Sequence, residues 1–112
     1  MVVPSAGELV LVPFPFFDLS SSKLRPAVCL ANAGRGDWIL CQVTSKAYGD
    51  SRAQKLDPSD VAVGGLRFTS FARPGKLFTA HESLIVRSVA KLTDPAFQRV
   101  LSAVIDILKP SP

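Results

Sequence analysis

Histidine, tryptophan, tyrosine and methionine occur once each in these 112 residues, and cysteine twice. A single histidine, His81, excludes the two-histidine acid–base arrangement found in many ribonucleases; a lone histidine suits a surface or capping position. Cys29 and Cys41 sit inside apolar runs, without companions at metal-ligand spacing. Buried, reduced thiols are therefore expected rather than a zinc site or a disulfide framework. Asp50, Asp57 and Asp60 fall in a loop region and form no distinctive metal cluster, so neither a metal nor a cofactor is expected. There is no Walker-type phosphate loop; "GRG" at 34–36 reads as a turn. No apolar run is long enough to span a bilayer, and the opening "MVVPSAG" is too short and too proline-broken for a signal peptide. The expectation is a soluble, cytoplasmic protein with no membrane partner. Polybasic blocks, internal repeats and low-complexity tracts are absent as well.

What is present is a globular composition. The chain is 47% hydrophobic and 20% charged, with nine prolines and seven glycines punctuating short segments. Its length predicts one domain, residues 1–112, with a moderate hydrophobic core. Thirteen lysines and arginines against nine acids give a net charge of +4 and a pI near 9.4. The cations are spread along the chain, which permits an anionic partner without requiring one.

The apolar runs are short and bounded by turn residues, which predicts mostly β structure. Strands are expected at about 8–13, 25–31 and 38–46, at a short piece near 53–56, and at 66–73 and 76–80, divided by "PG". Residues 83–92 mix a turn with one more strand, while "DPSDVAVGG" reads as loop. A C-terminal helix is clearer. Asp94 offers an N-cap before Pro95, and Phe97, Val100, Leu101, Val104, Ile105 and Leu108 fall on one helical face. Lys109 suits the negative end of the helix dipole, and Pro110 stops the helix.

"KLRPAVCLAN" (23–32) sets an arginine at the mouth of an apolar strand. The next strand is "WILCQVTSK", joined through a turn centred near Gly34 and Arg35. Residues equally far from an antiparallel turn face one another. With a two-residue turn, Arg25 pairs with Thr44 on one face; a one-residue slip separates them. A solvated strand-end arginine and an ordinary β-forming threonine would look the same in sequence. As a pair, a permanently charged planar donor fork beside a hydroxyl suits phosphodiester chemistry better than acyl transfer or redox. Phe14, Phe16 and Phe17 are either core or a stacking surface for bases.

The runs "GELVLVPFPFFDLSSSKLRPAVCLA", "ILCQVTSK" and "SFARPGKLFTAHESLIVRSVAKLTD" together resemble the MazF/PemK toxins of toxin–antitoxin pairs, in their PemK-like branch. The resemblance covers nearly the whole chain and is weakest at 47–65. It implies an α+β, mostly β fold: a small SH3-like curved barrel with a C-terminal amphipathic helix, assembled as a homodimer. It also implies a metal-independent endoribonuclease that cuts single-stranded RNA at short preferred sequences, leaving a 2′,3′-cyclic phosphate and a 5′-hydroxyl. On this resemblance Arg25 and Thr44 form the catalytic pair. Phe17, Lys23, Ser45, Lys46, Lys76 and Thr79 are the expected RNA contacts. The implied protein partner is a cognate antitoxin whose disordered acidic segment fills the basic groove, the complex binding DNA and the free toxin arresting growth. A protein-targeting toxin like the CcdB gyrase poisons, or a non-catalytic RNA-binding member, are the alternatives.

Overall fold

The computed structural model describes residues 3–13 and 23–109. Its elements are β1 (Glu8–Pro13), β2 (Leu24–Gly34), β3 (Asp37–Thr44), β4 (Gln54–Leu56), β5 (Val61–Gly64), β6 (Ser70–His81), β7 (Arg87–Leu92) and α1 (Asp94–Leu108). Short 3-10 turns at Pro58–Asp60 and Glu82–Leu84 lead into β5 and β7. All seven strands join one antiparallel sheet in the order β4-β6-β3-β2-β1-β7-β5. The α+β, mostly β expectation holds, with one qualification: the sheet is strongly curved in expectation but is not closed, since β4 and β5 remain its edges. No helix among the described residues is long and apolar enough to cross a membrane.

The central strands are buried on both faces. Leu9, Val28, Cys41, Val43, Leu56 and Leu92 pack with the helix residues Ala96, Val100 and Val104. On the other face Val10, Val12, Ala27, Cys29, Trp38, Leu40, Ala80 and Ile85 form a second cluster. This explains why "AVCL" and "LCQV" lack polar–apolar alternation: each side chain except Gln42 points to a core, whichever face it takes. Full burial of a valine such as Val100 contributes about 1.5–3 kcal/mol.

Several sequence expectations need correction. Residues 70–81 form one strand, not two, because β6 runs through Pro74–Gly75 by means of a wide bulge. Residues 66–69 precede it and are not strand. "VAVG" is β5, an edge strand on β7, where a loop was expected. The N-cap of α1 is Thr93, not Asp94: its hydroxyl accepts from the Ala96 N–H at 3.3 Å, and Asp94 occupies the first helical position beside the positive dipole end. Ile105 and Leu108 lie on the expected apolar face yet are exposed, so burial is concentrated on Ala96, Val100 and Val104.

Asp60 ties the second half of the molecule together. Its carboxylate accepts from the Asp57 N–H at 2.9 Å and pairs with Arg99 of α1 at 3.2 Å, while its carbonyl accepts from the Thr93 N–H. Burial pushes this carboxyl's pKa up, but the Asp57 N–H and Arg99 outweigh it and hold the pKa below the ordinary value. A depressed folded pKa gives stability that is present above the unfolded value of about 3.9 and lost as pH falls through the folded one. Urea melts from pH 6 to pH 2 should show that loss, and Asp60→Asn should flatten it.

Gly64 has φ +83°, and a Cβ there would lie 2.4 Å from the Val89 carbonyl oxygen, a backbone atom with little room to move. Gly64→Ala should therefore cost about 2–4 kcal/mol in urea unfolding. Gly65→Ala, with nothing within 4 Å, should cost less than about 0.5 kcal/mol.

Candidate functional site

The β2–β3 hairpin turns at Arg35 and Gly36, both at positive φ (57° and 80°), between the paired residues Gly34 and Asp37. That is one residue later than the sequence suggested. A regular ladder from this turn would set Arg25 against Lys46. Two single-residue bulges in β2, at Ala33 and Leu30, shift the pairing to Cys29–Leu40, Val28–Cys41 and Ala27–Gln42. Continued two residues to the strand ends, this register puts Arg25 opposite Thr44. Both are half-buried, on the face that also carries Ala27 and Gln42.

A second irregularity lies across β3. Cys41 pairs with Leu77 and Val43 with Ala72, so the four β6 residues Arg73–Lys76 stand against Gln42 alone. Pro74, which has no N–H to give the ladder, is buried inside this bulge. The Cys41 thiol donates to the Arg73 carbonyl at 3.2 Å, satisfying an acceptor in the bulge. The outcome is that Arg73 and Lys76 are delivered beside Arg25, Gln42 and Thr44.

Two depressions meet at the Arg25–Thr44 pair. One, of about 310 Å³, is lined by Arg25, Gln42, Val43, Thr44, Tyr48, Arg73 and Lys76. The other, of about 380 Å³, has an apolar floor of Leu11, Pro26, Val43, Leu66 and Val89. Its rim includes Arg25, Thr44, Ser45, Arg67, Phe68 and Arg87. Arg25, Val43 and Thr44 belong to both, so they form the wall between them. Among the described residues five cations and no carboxylate line this continuous surface, which favours a polyanion. Thr44 Oγ accepts from the Lys46 N–H at 3.3 Å, so its own hydrogen can be donated elsewhere.

The other expected RNA contacts are distributed unevenly. Lys76 lines the first depression and Ser45 the second. Lys46 is exposed and touches the site through its backbone N–H. Lys23 is exposed ahead of β2 and lines neither depression. Thr79 is also outside both: it pairs with Ile39 and, three positions from Lys76, points to the opposite face of β6. Phe17, with Phe14 and Phe16, lies outside the described residues.

Sequence reasoning missed Gln42, Tyr48 and Arg73. A signal for Arg73 was available, because "ARPG" repeats the arginine–proline dipeptide of "LRPA". Tyr48 carried none: its position depends on how the 47–53 loop folds back. Asp50 pairs with Arg73 Nε at 3.1 Å, and the Arg73 guanidinium lies 5.5 Å from the centre of the Tyr48 ring. The Arg52 N–H first, and then Arg73, hold the Asp50 carboxyl below the usual carboxylate range against the opposing effect of burial.

Other reactive groups are turned away from this surface. Among the described residues no three of His, Cys, Asp and Glu converge as a metal site would require. His81 is exposed and caps the Glu82–Leu84 turn, its Nδ1 accepting from the Ser83 N–H at 3.1 Å. Cys29 and Cys41 are free, fully buried and on opposite faces of the sheet. Burial pushes both thiols up to about 12, helped by Glu8 at Cys29 and opposed at Cys41 by its hydrogen bond to the Arg73 backbone.

Residues 5–108 match the family described as PemK-like, MazF-like toxin of type II toxin–antitoxin system. The chain belongs to this family. Solved structures agree at the level of fold. The toxin in a MazE–MazF complex from Deinococcus radiodurans superimposes with a TM-score of 0.74 at 23% identity, over 98% of this chain and 100% of that one. An endoribonuclease in complex with its cognate antitoxin from a mycobacterial species gives 0.72 at 14% identity over the whole of both chains. Mycobacterium tuberculosis toxin MazF-mt6 gives 0.70 at 15% identity, over 94% of this chain and 99% of that one. A search of curated protein sequences finds no significant match.

The thiols of this PemK-like toxin should be chemically silent. Native protein with a chromogenic disulfide reagent at pH 8 should release less than a tenth of the signal per minute that it releases in denaturant, since thiolate is the reactive form.

Proposed function

We propose that this toxin is an endoribonuclease cleaving single-stranded RNA without a metal ion, with Arg25 and Thr44 as its catalytic pair. The observation that carries the reading is their shared place: a fixed cation and a hydroxyl, brought together at the ends of β2 and β3 by the register that runs through Ala27 and Gln42, between two depressions lined by cations. A strand crossing from one depression to the other would lay one phosphodiester across them. The ribose 2′-oxygen attacks phosphorus, the P–O2′ bond forms as P–O5′ breaks, and the 2′ proton leaves to water while the departing 5′-oxygen gains one. The products are a 2′,3′-cyclic phosphate and a 5′-hydroxyl. Arg25 stabilises the charge that builds on the phosphoryl oxygens, and Thr44 holds one of them by its O–H. Arginine stays protonated, so this role is electrostatic rather than acid–base.

Family membership and the two antitoxin-bound structures support a cognate antitoxin as protein partner. An acidic disordered segment folding over the cationic surface would compete with RNA for it. Assembly as a homodimer belongs to the same reading. The Arg25–Thr44 pair, set among cations, argues against a gyrase-directed toxin.

Purified protein should cut unstructured RNA in EDTA, leaving ends that a 5′-kinase labels without prior phosphatase. Arg25→Ala should lower the rate by about 10²-fold or more with an unchanged melting temperature, and Thr44→Val by less. RNA bound but left whole would identify a non-catalytic member. A folded Arg25→Ala variant of normal activity would remove the mechanism.

A further inference from the structure

The loop from Ala47 to Arg52 has no evident reason to hold a strained tyrosine over a half-buried ion pair. Tyr48 has φ +54°, a left-handed conformation that is costly for a bulky residue, and the residue is 66% exposed. With Gly49 at φ +69° it forms a tight turn closed by the Asp50 N–H on the Ala47 carbonyl at 2.9 Å. That turn sets two side chains against Arg73. The Asp50 carboxylate takes Nε, while its other oxygen is fixed by the Arg52 N–H at 2.9 Å. The Tyr48 ring covers the guanidinium at 5.5 Å. Arg73 and Asp50 are only 20% and 18% exposed, so the pair is shielded from salt better than a surface bridge.

We propose that Arg73 is a second phosphate-binding cation, which Asp50 and Tyr48 position for the phosphodiester next to the one held by Arg25 and Thr44. The planar fork of arginine makes this division of labour possible. A carboxylate on Nε fixes the plane and leaves the Nη edge as the donor for a phosphate. The Arg73–Lys76 bulge has already placed this side chain in the depression shared with Arg25, Gln42 and Lys76. The loop thereby acquires a role: it orients a cation rather than contacting RNA mainly by itself. This inference rests on the ribonuclease reading above. Asp50 and Tyr48 are positioning residues, and Arg73 is the group that touches RNA.

A purely structural ion pair pinning the loop to β6 predicts different results. Binding is measured on an unstructured 2′-O-methyl RNA, which lacks the attacking hydroxyl, across a range of salt; cleavage is measured on unmodified RNA in EDTA. Arg73→Gln should lower the slope of log K against log salt by about 0.7, the value for one phosphate contact on a single strand. Lys91→Gln, a cation outside both depressions, should leave the slope unchanged. Arg73→Lys keeps the charge but not the fork, so it should hold the slope while losing rate, and it serves if the glutamine variant fails to fold. Asp50→Asn is the sharpest arm. It makes a cationic groove more positive, so charge alone predicts equal or faster cutting, whereas positioning predicts that kcat falls about ten-fold with no weakening of binding. An unchanged slope in folded Arg73→Gln, or undiminished kcat in Asp50→Asn, overturns the proposal while wild-type cutting and inactive Arg25→Ala leave the ribonuclease reading intact. If wild-type protein binds but does not cut, that reading fails and the slope still decides Arg73; if it does not bind, both fail.

Discussion

The register between β2 and β3 is the constraint on which the rest depends. It places a guanidinium and a hydroxyl opposite each other at the open ends of two strands, and three irregularities act together to produce it. The turn at Arg35–Gly36 fixes the start of the ladder, the extra residues at Ala33 and Leu30 displace it twice, and the pairing then runs true through Ala27 and Gln42. One bulge fewer would turn every side chain of one strand end to the wrong face. Two bulges preserve the face and change only the partner, exchanging a lysine for a threonine opposite Arg25.

That register survives because both faces of the sheet are packed. The runs that flank the site, Ala27–Leu30 and Leu40–Val43, are buried along their whole length, with Gln42 as the single polar member of the second. Sliding either strand would exchange Cys29 and Leu40 in one cluster for Val28 and Cys41 in the other, against different neighbours. Tight packing resists such exchanges, so the core holds the site's geometry without supplying any of its polar groups. The cysteines belong to this framework. Cys41 joins it to the site through weak hydrogen bonds to the carbonyls of Arg73 and Gln42, whose side chains line the first depression.

The surface built on this framework is chemically one-sided. Arginines and a lysine come from β2, β6, β7 and the segment before β6, and the nearby carboxylate, Asp50, faces Arg73 rather than the open surface. Charge density of this kind is long-ranged and tolerant of small displacements, which suits capture of a flexible polyanion. Cleavage demands more. On the proposed reading it needs a donor fixed where charge develops, and Arg25, at the wall between the two depressions, is anchored by its pairing with Val12 on β1.

The sequence by itself determined the strands whose apolar runs are bounded by turn residues, the amphipathic helix, the buried thiols and the capping histidine, because each follows from local patterning and composition. The opposition of Arg25 and Thr44 was legible too, though by two errors that cancelled: the turn lies one residue later than expected, and the bulges were invisible. Bulges, edge strand β5, the Thr93 cap and the unbroken course of β6 through Pro74 are settled by which neighbours are available, and neighbours come from distant parts of the chain. Arg73, Gln42 and Tyr48 entered the site for the same reason. Their residue types are ordinary in sequence, and only the four-against-one bulge and the folded-back loop bring them around Arg25. Local chemistry chose the elements; long-range pairing chose which side chains meet.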